Sequence, residues 1–177
     1  MVLIKVCARA TPTTRLKVAN GLFISKLCYL VKLWGGCEEY LLKSLQVLQN
    51  RAARAVTRKS WFTPTWLLLA ECKWLSVRQL VFYHSVFSTH TIVMSGKPLY
   101  MAKAMSTAHP LNTRQAAGGQ IRLGENYDSK QGLVHNGFKY RAAKDYNHIP
   151  SFIRSIKTLP TFKRKLKQWV TTNIPVC

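Results

Sequence analysis

Lys43, Arg51, Arg54 and Arg58 are the residues best placed to do chemistry in this chain. They fall within residues 41–59, LLKSLQVLQNRAARAVTRK, a stretch with no Asp or Glu. Read at about 100° per residue, they share one side of a helix, with Asn50 and Thr57 beside them. Leu41, Leu45, Leu48, Ala52, Ala55 and Val56 share the other side. Arg51, Arg54 and Arg58 are three and four apart, so neighbours are separated by about one turn, roughly 5–6 Å of rise. Phosphates along a nucleic-acid strand recur at a comparable interval. The chemistry implied is electrostatic grip of a polyanion, with no bond made or broken. The plain alternative is a solvated helix face. A second such face lies in residues 160–172. There Phe162, Leu166, Trp169 and Val170 line one side, and Lys163, Arg164 and Lys167 the other.

Other constellations are weaker. Cys7, Cys28, Cys37, Cys72 and Cys177 form no C-x-x-C pair and are odd in number. That argues against a metal site or a disulfide framework and for a reducing compartment. His84, His90, His109, His135 and His148 include no H-E-x-x-H, and His84 and His90 read as packing or helix-surface residues. Gly118-Gly119 lacks the lysine and Ser/Thr that a phosphate-cradling loop requires. No Ser/His/Asp or Cys/His arrangement is visible, and neither Cys28 nor Cys72 has local support as a nucleophile.

The elements that must position the basic faces are helices. Residues 11–14 give a breaker and an N-cap candidate, and a helix is expected over 15–34, with Leu16, Leu22 or Phe23, Leu27, Leu30 and Val31 as its apolar stripe. Gly35-Gly36 ends it. Glu38 and Glu39, an adjacent acidic pair, suit the start of the next helix without any catalytic role. Residues 61–64 break the chain, and Pro64 opens a short helix over 65–71. Ser76 and Gln79 have the spacing of a capping box for a helix reaching about Met94, with Leu80, Phe87 and Thr91 on its apolar side; Gly96 and Pro98 close it. Residues 110–136 read as an exposed Gly-rich loop, with a strand candidate at 120–123. Residues 138–148 are helical and stopped by Pro150. Residues 1–6 fit a strand or a helix stub. The fold class is therefore mainly α: a helical bundle with a Gly-rich loop segment and a C-terminal helical extension.

Composition moves the balance toward the polyanion. The chain carries 27 Lys+Arg against 6 Asp+Glu, a formal net charge of +21, across 177 residues that are 47% hydrophobic. Solubility does not need so much charge of one sign, and self-repulsion opposes compaction. Nucleic acid fits better than a membrane because the bases recur along the whole chain with aromatics among them. Trp61, Trp66 and Tyr140 are candidates to stack on bases, although core or half-buried positions are the expected ones. Residues 75–94 form the longest apolar-looking run, and Arg78, Gln79, His84 and His90 interrupt it. Residues 1–37 have six basic residues and no acid, which resembles a mitochondrial presequence. The same bias continues beyond them, so an intracellular site, nuclear or cytoplasmic, is the expectation.

Six segments in order carry a family resemblance: ISKLCYLVKLWGG (24–36), LQVLQNRAARAV (45–56), WLSVRQLVFYHSV (74–86), NTRQA (112–116), FKYRAAKDYNHIP (138–150) and FKRKLKQW (162–169). Together they resemble the region that follows the palm in LINE-type, non-long-terminal-repeat retrotransposon reverse transcriptases. The likeness runs from about Arg15 to the end. It implies a helical thumb that grips the primer–template duplex and a C-terminal extension that contacts the element's own RNA. On that resemblance residues 1–14 are the stub of an upstream palm, 15–107 the thumb-like bundle, 108–136 a linker and 137–177 the basic C-terminal helices. It also puts Lys43, Arg51, Arg54 and Arg58 on the thumb helix, Arg114 in the NTR segment and Arg141 in the RAA segment, all as nucleic-acid contacts.

The family's polymerases need acidic palm residues, including an aromatic-x-Asp-Asp turn, to hold two divalent cations. Asp128 and Asp145 are this chain's aspartates, and they cannot form that turn. Fingers, palm and a C-terminal Cys/His knuckle are absent from it. No catalytic residue, metal site or cofactor is expected, a divalent cation entering only with an intact palm. Partners are RNA or DNA and the missing fingers and palm. Two other expectations stand beside this one: a basic helical protein on a membrane or targeted to mitochondria, and a decayed element remnant with no selected role.

Overall fold

The computed structural model describes residues 10–105, 119–121 and 137–175. It is mainly helical, and no strand occurs among the described residues. The chain divides into two compact units, residues 1–80 with 174–177 and residues 81–173.

In the first unit, α1 (Pro12–Ala19) starts three residues before Arg15. Thr11 is its N-cap, its hydroxyl accepting the Thr14 N–H at 3.3 Å, and Pro12 follows where no N–H is needed. The single helix expected over 15–34 is broken. A π-helical turn (Asn20–Ile24) interrupts it at Gly21, α2 (Ser25–Cys28) follows, and Leu30 turns left-handed at φ 50° before α3 (Val31–Trp34). The extra residue of a π turn rotates everything after it, so a stripe drawn at constant 100° steps fails. Leu27 and Val31 are buried, whereas Leu22 and Leu30 are exposed. The break is held by the Trp34 indole N–H, which donates to the Tyr29 carbonyl at 2.9 Å.

The basic stretch forms α4 (Glu39–Thr57), with Glu38 as its N-cap residue, and Arg58 ends it in the left-handed region at φ 55°. Its buried face is Gln46, Gln49, Ala52, Ala53 and Val56; Leu41 and Leu48, expected inside, are exposed. Small side chains explain part of this difference. Ala53 and Val56 join Ala19 of α1 and Leu68, Leu69 and Cys72 of α5 (Thr65–Cys72) in one core cluster. Hydrogen bonding explains the rest. Gln46 Oε1 accepts the Val77 N–H at 2.8 Å, and its Nε2 donates to Gln49 Oε1 and Asn50 Oδ1 at 3.0 and 2.8 Å. Gln49 Nε2 donates to the Leu75 carbonyl at 2.8 Å. These bonds clasp the start of α6 (Val77–Ser95). The capping box forms as expected: Ser76 N–H donates to Gln79 Oε1 at 3.0 Å and Gln79 N–H to Ser76 Oγ at 3.3 Å. Gln79 Nε2 also donates to the Ile174 carbonyl at 2.7 Å.

The second unit takes α6 from Val81 onward. The helix ends at Gly96, whose φ of 65° suits a residue without Cβ and whose N–H reaches the Ile92 carbonyl at 2.9 Å. Beyond it lie α7 (Leu99–Ala104), α8 (Phe138–His148), α9 (Ser151–Arg154) and α10 (Leu159–Asn173). Phe87 and Thr91 are half-buried, while Val86, Thr89 and His90 are buried. His90 does serve packing: its ring stacks on Phe162 with centroids 3.6 Å apart, and Nδ1 meets the Tyr146 hydroxyl at 3.2 Å. Burial holds its pKa below the usual imidazole value. Phe162, Leu166 and Val170 of α10 are fully buried as expected, with Trp169 against Phe82 and His148. Of the strand candidate at 120–123, residues 120 and 121 are described and are not a strand. The Asn147 amide takes the place of a neighbouring strand, accepting the Ile121 N–H at 2.8 Å and donating to the Ile121 carbonyl at 2.9 Å.

Two stability changes follow. Replacing Gln46 by Ala strips the buried Val77 N–H of its acceptor and costs about 1–3 kcal/mol, read as a lower urea midpoint at unchanged slope. Asp145 titrates in the opposite sense from most carboxylates. Burial pushes its pKa from 3.8 up to about 6, against the Ser85 hydroxyl and the charges of Arg141, His148 and Lys144. The folded state therefore holds this proton more tightly. The contribution to stability is complete below about pH 4 and is lost as pH rises through 6. Wild type should lose up to roughly 3 kcal/mol relative to Asp145→Asn between pH 4 and pH 7. Parallel melts of the two proteins at both pH values give that difference.

Candidate nucleic-acid interface

The buried glutamines and alanines of α4 leave its opposite side to water. Lys43 and Arg51 are exposed there. Arg54 is half-buried because it folds onto the following loop. Its Nη2 donates to the Trp61 carbonyl at 3.3 Å, and its Cζ stands 4.6 Å from the Trp61 ring centroid. Such a pair is worth about 0.5–1 kcal/mol at an exposed site. Arg58 is exposed but lies at the left-handed end of the helix, one residue off the helical face. Lys59 pairs with Glu71 at 2.7 Å.

The loop is more exposed than its residue types lead one to expect. Trp61 is 66% exposed, Phe62 92% and Trp66 61%, although core or half-buried positions were expected for the two tryptophans. The reason lies on the next helix. α5 turns Leu68, Leu69 and Cys72 inward, and these fill the contact with α4, so its first turn and the loop before it face out. Ser60 shapes the loop: its carbonyl accepts the Thr63 N–H at 3.1 Å and its hydroxyl the Phe62 N–H at 3.4 Å. The signal in the sequence was Arg54 seven residues before Trp61 across a helix stop, a spacing that lets a guanidinium reach an indole. Exposed rings beside a cation can both stack on a base and contact its phosphate.

In the second unit, Lys163, Arg164 and Lys167 of α10 are exposed, with Lys165 among them. Arg141 of α8 is half-buried beside Asp145, and its charge offsets part of that carboxylate's burial. Tyr140 is half-buried, as expected. Arg114 lies outside the described residues.

Reactive groups are muted. The Cys72 thiol is pushed up to about 11 by burial and by Glu71, and burial raises Cys28 as well, so both stay protonated at neutral pH. Among the described residues, no three of His, Cys, Asp and Glu gather as a metal-binding group, and no helix is long and apolar enough to cross a membrane. No family model, curated protein or solved structure matches the chain.

The Arg54–Trp61 pair makes its own prediction. A double-mutant cycle with Arg54→Ala and Trp61→Ala should return a coupling of about 0.5–1 kcal/mol in folding stability, whereas Arg51→Ala with Trp61→Ala should return a value near zero.

Proposed function

We propose that this chain binds nucleic acid as the helical thumb and C-terminal extension of a retrotransposon-type reverse transcriptase, gripping primer–template duplex or element RNA. One observation carries the reading: Arg54 rests on a tryptophan that is two-thirds exposed, with Phe62 and Trp66 exposed in the same loop and helix start and with Lys43, Arg51 and Arg58 exposed along α4 and at its end. Lysine and arginine supply affinity for phosphates without choosing a sequence. The aromatic side chains supply platforms for unpaired bases, as at the end of a duplex or in a single-stranded template. The resemblance over residues 24–169 supplies the kind of polymer and the kind of enzyme.

Catalysis lies elsewhere in this reading. The residues present do not fit a two-cation centre. Asp145 is half-buried next to Arg141 with its pKa raised, which suits a protonated or charge-paired carboxyl rather than a metal ligand. The polymerase carboxylates and their cations belong to a palm, and the chain alone is expected to extend no primer.

Binding of RNA–DNA hybrid and of single-stranded oligonucleotides, measured over a range of salt, tests this. The slope of log affinity against log salt should be about −0.9 per neutralised phosphate of duplex. Arg51→Ala, Arg54→Ala and Arg58→Ala together should flatten it by about two to three units. Trp61→Ala with Trp66→Ala should instead weaken single-strand binding by about 1–3 kcal/mol per lost stack and leave the slope alone. A folded protein that forms no complex at low ionic strength would end the proposal.

A further inference from the structure

Arg15 is the anomaly among the cations of the first unit. It is only 5% exposed, and its Nε and Nη1 have no hydrogen-bond partner among the described residues. It lines an open cleft of about 270 Å³ with Pro12, Thr13, Leu16, Val56, Thr57 and Cys72. The acid lining the same cleft is Glu71, and its carboxylate is engaged by Lys59 at 2.7 Å. A guanidinium that is 5% exposed, with two nitrogens unmet and no free carboxylate beside it among the described residues, is unfavourable. Something anionic from outside relieves that most simply.

The walls agree with the floor. The cleft opens at the N-terminus of α1, an eight-residue helix with no acid in its first turn. Thr14 N–H is spent on the Thr11 hydroxyl and Arg15 N–H on the Thr11 carbonyl, while Thr13 lines the cleft. A helix start favours negative charge, and a guanidinium fork fits an oxyanion with two parallel bonds. Arg15 is only 5% exposed, so a phosphoryl group on a narrow stem can approach it more closely than a phosphodiester flanked by two sugars.

We propose that the Arg15 cleft is a phosphoryl subsite that takes one terminal phosphate. Two sources share this chemistry: the phosphorylated end of a nucleic-acid strand, and free phosphate. Naming the first rests on the nucleic-acid reading; the subsite itself does not.

The test uses the full chain and two variants, Arg15→Met and Thr13→Val. Arg15→Met keeps an unbranched apolar stem in place of the first part of the side chain, removes a buried unpaired charge and should melt no lower than wild type. Oligonucleotides of one sequence, with and without a terminal phosphate at the 5′ or the 3′ end, are titrated by fluorescence anisotropy. Inorganic phosphate is compared with chloride at equal ionic strength by thermal melting. One phosphorylated end should bind wild type about tenfold tighter than the bare strand, the scale of a charge-assisted bidentate contact. Arg15→Met should bring the two within about twofold while leaving bare-strand affinity and its salt slope in place, and Thr13→Val should fall between. Inorganic phosphate should raise the melting temperature of wild type and not of Arg15→Met. If no strand binds but phosphate still stabilises wild type through Arg15, the subsite stands with free phosphate as its source and the nucleic-acid reading fails. If strands bind equally with and without end phosphates, and phosphate acts on wild type no differently than chloride, the subsite is refuted while nucleic-acid binding survives.

Discussion

Arginines that leave bulk water in this chain do so where electron density meets the guanidinium. Arg54 lies on the face of Trp61. Arg154 donates to the Asn147 and Ile149 carbonyls at 2.9 and 2.6 Å, closing the C-terminal end of α8. Arg141 sits beside the half-buried Asp145. Ring, carbonyl and carboxylate are three answers to one demand, because a charge out of water must be compensated in place. With 27 cations and six acids, carboxylates cannot answer for all of them. The remaining cations stay in water, and the helix faces that carry them are thereby fixed as outer faces. Arg15 is where the internal supply runs out.

That constraint decides how α4 is turned. Had its leucines been buried, Gln46 and Gln49 would face solvent. Instead the glutamines go inside, where they find backbone partners at Leu75 and Val77, and the alanines next to them allow close approach of α1 and α5. Leu41 and Leu48 are left as an apolar edge along a basic helix. A surface of that kind offers both hydrophobic area and positive charge side by side.

Helix positions were legible because short-range chemistry writes them: Thr11 before Pro12, Ser76 with Gln79, Gly96 after the long helix. The basic side of α10 was legible too, since Phe162, Leu166 and Val170 are large, apolar and regularly spaced. The failures share a cause. Leu41 and Leu48 were assigned to the core, and Trp61 and Trp66 to core or half-buried positions, on hydrophobicity alone. Tertiary partners decided otherwise: hydrogen bonds between residues 26 and 31 apart in the chain turn α4, and the packing of Leu68, Leu69 and Cys72 turns α5. The π turn at Gly21 shifted a helical phase that no local residue type announces. Arg15 was hidden by abundance, one base among 27, and only its burial sets it apart. Its place four residues before the buried Ala19, on one face of one helix, was the available hint.

The clasp at the start of α6 has a further consequence. Ser76 and Gln79 satisfy two backbone groups locally, but the Val77 N–H is met by Gln46 from another helix. The instruction to begin this helix is thus divided between two distant places in the chain. An excised peptide spanning 74–95 would carry one half of it, and its first turn would fray until the other half was returned.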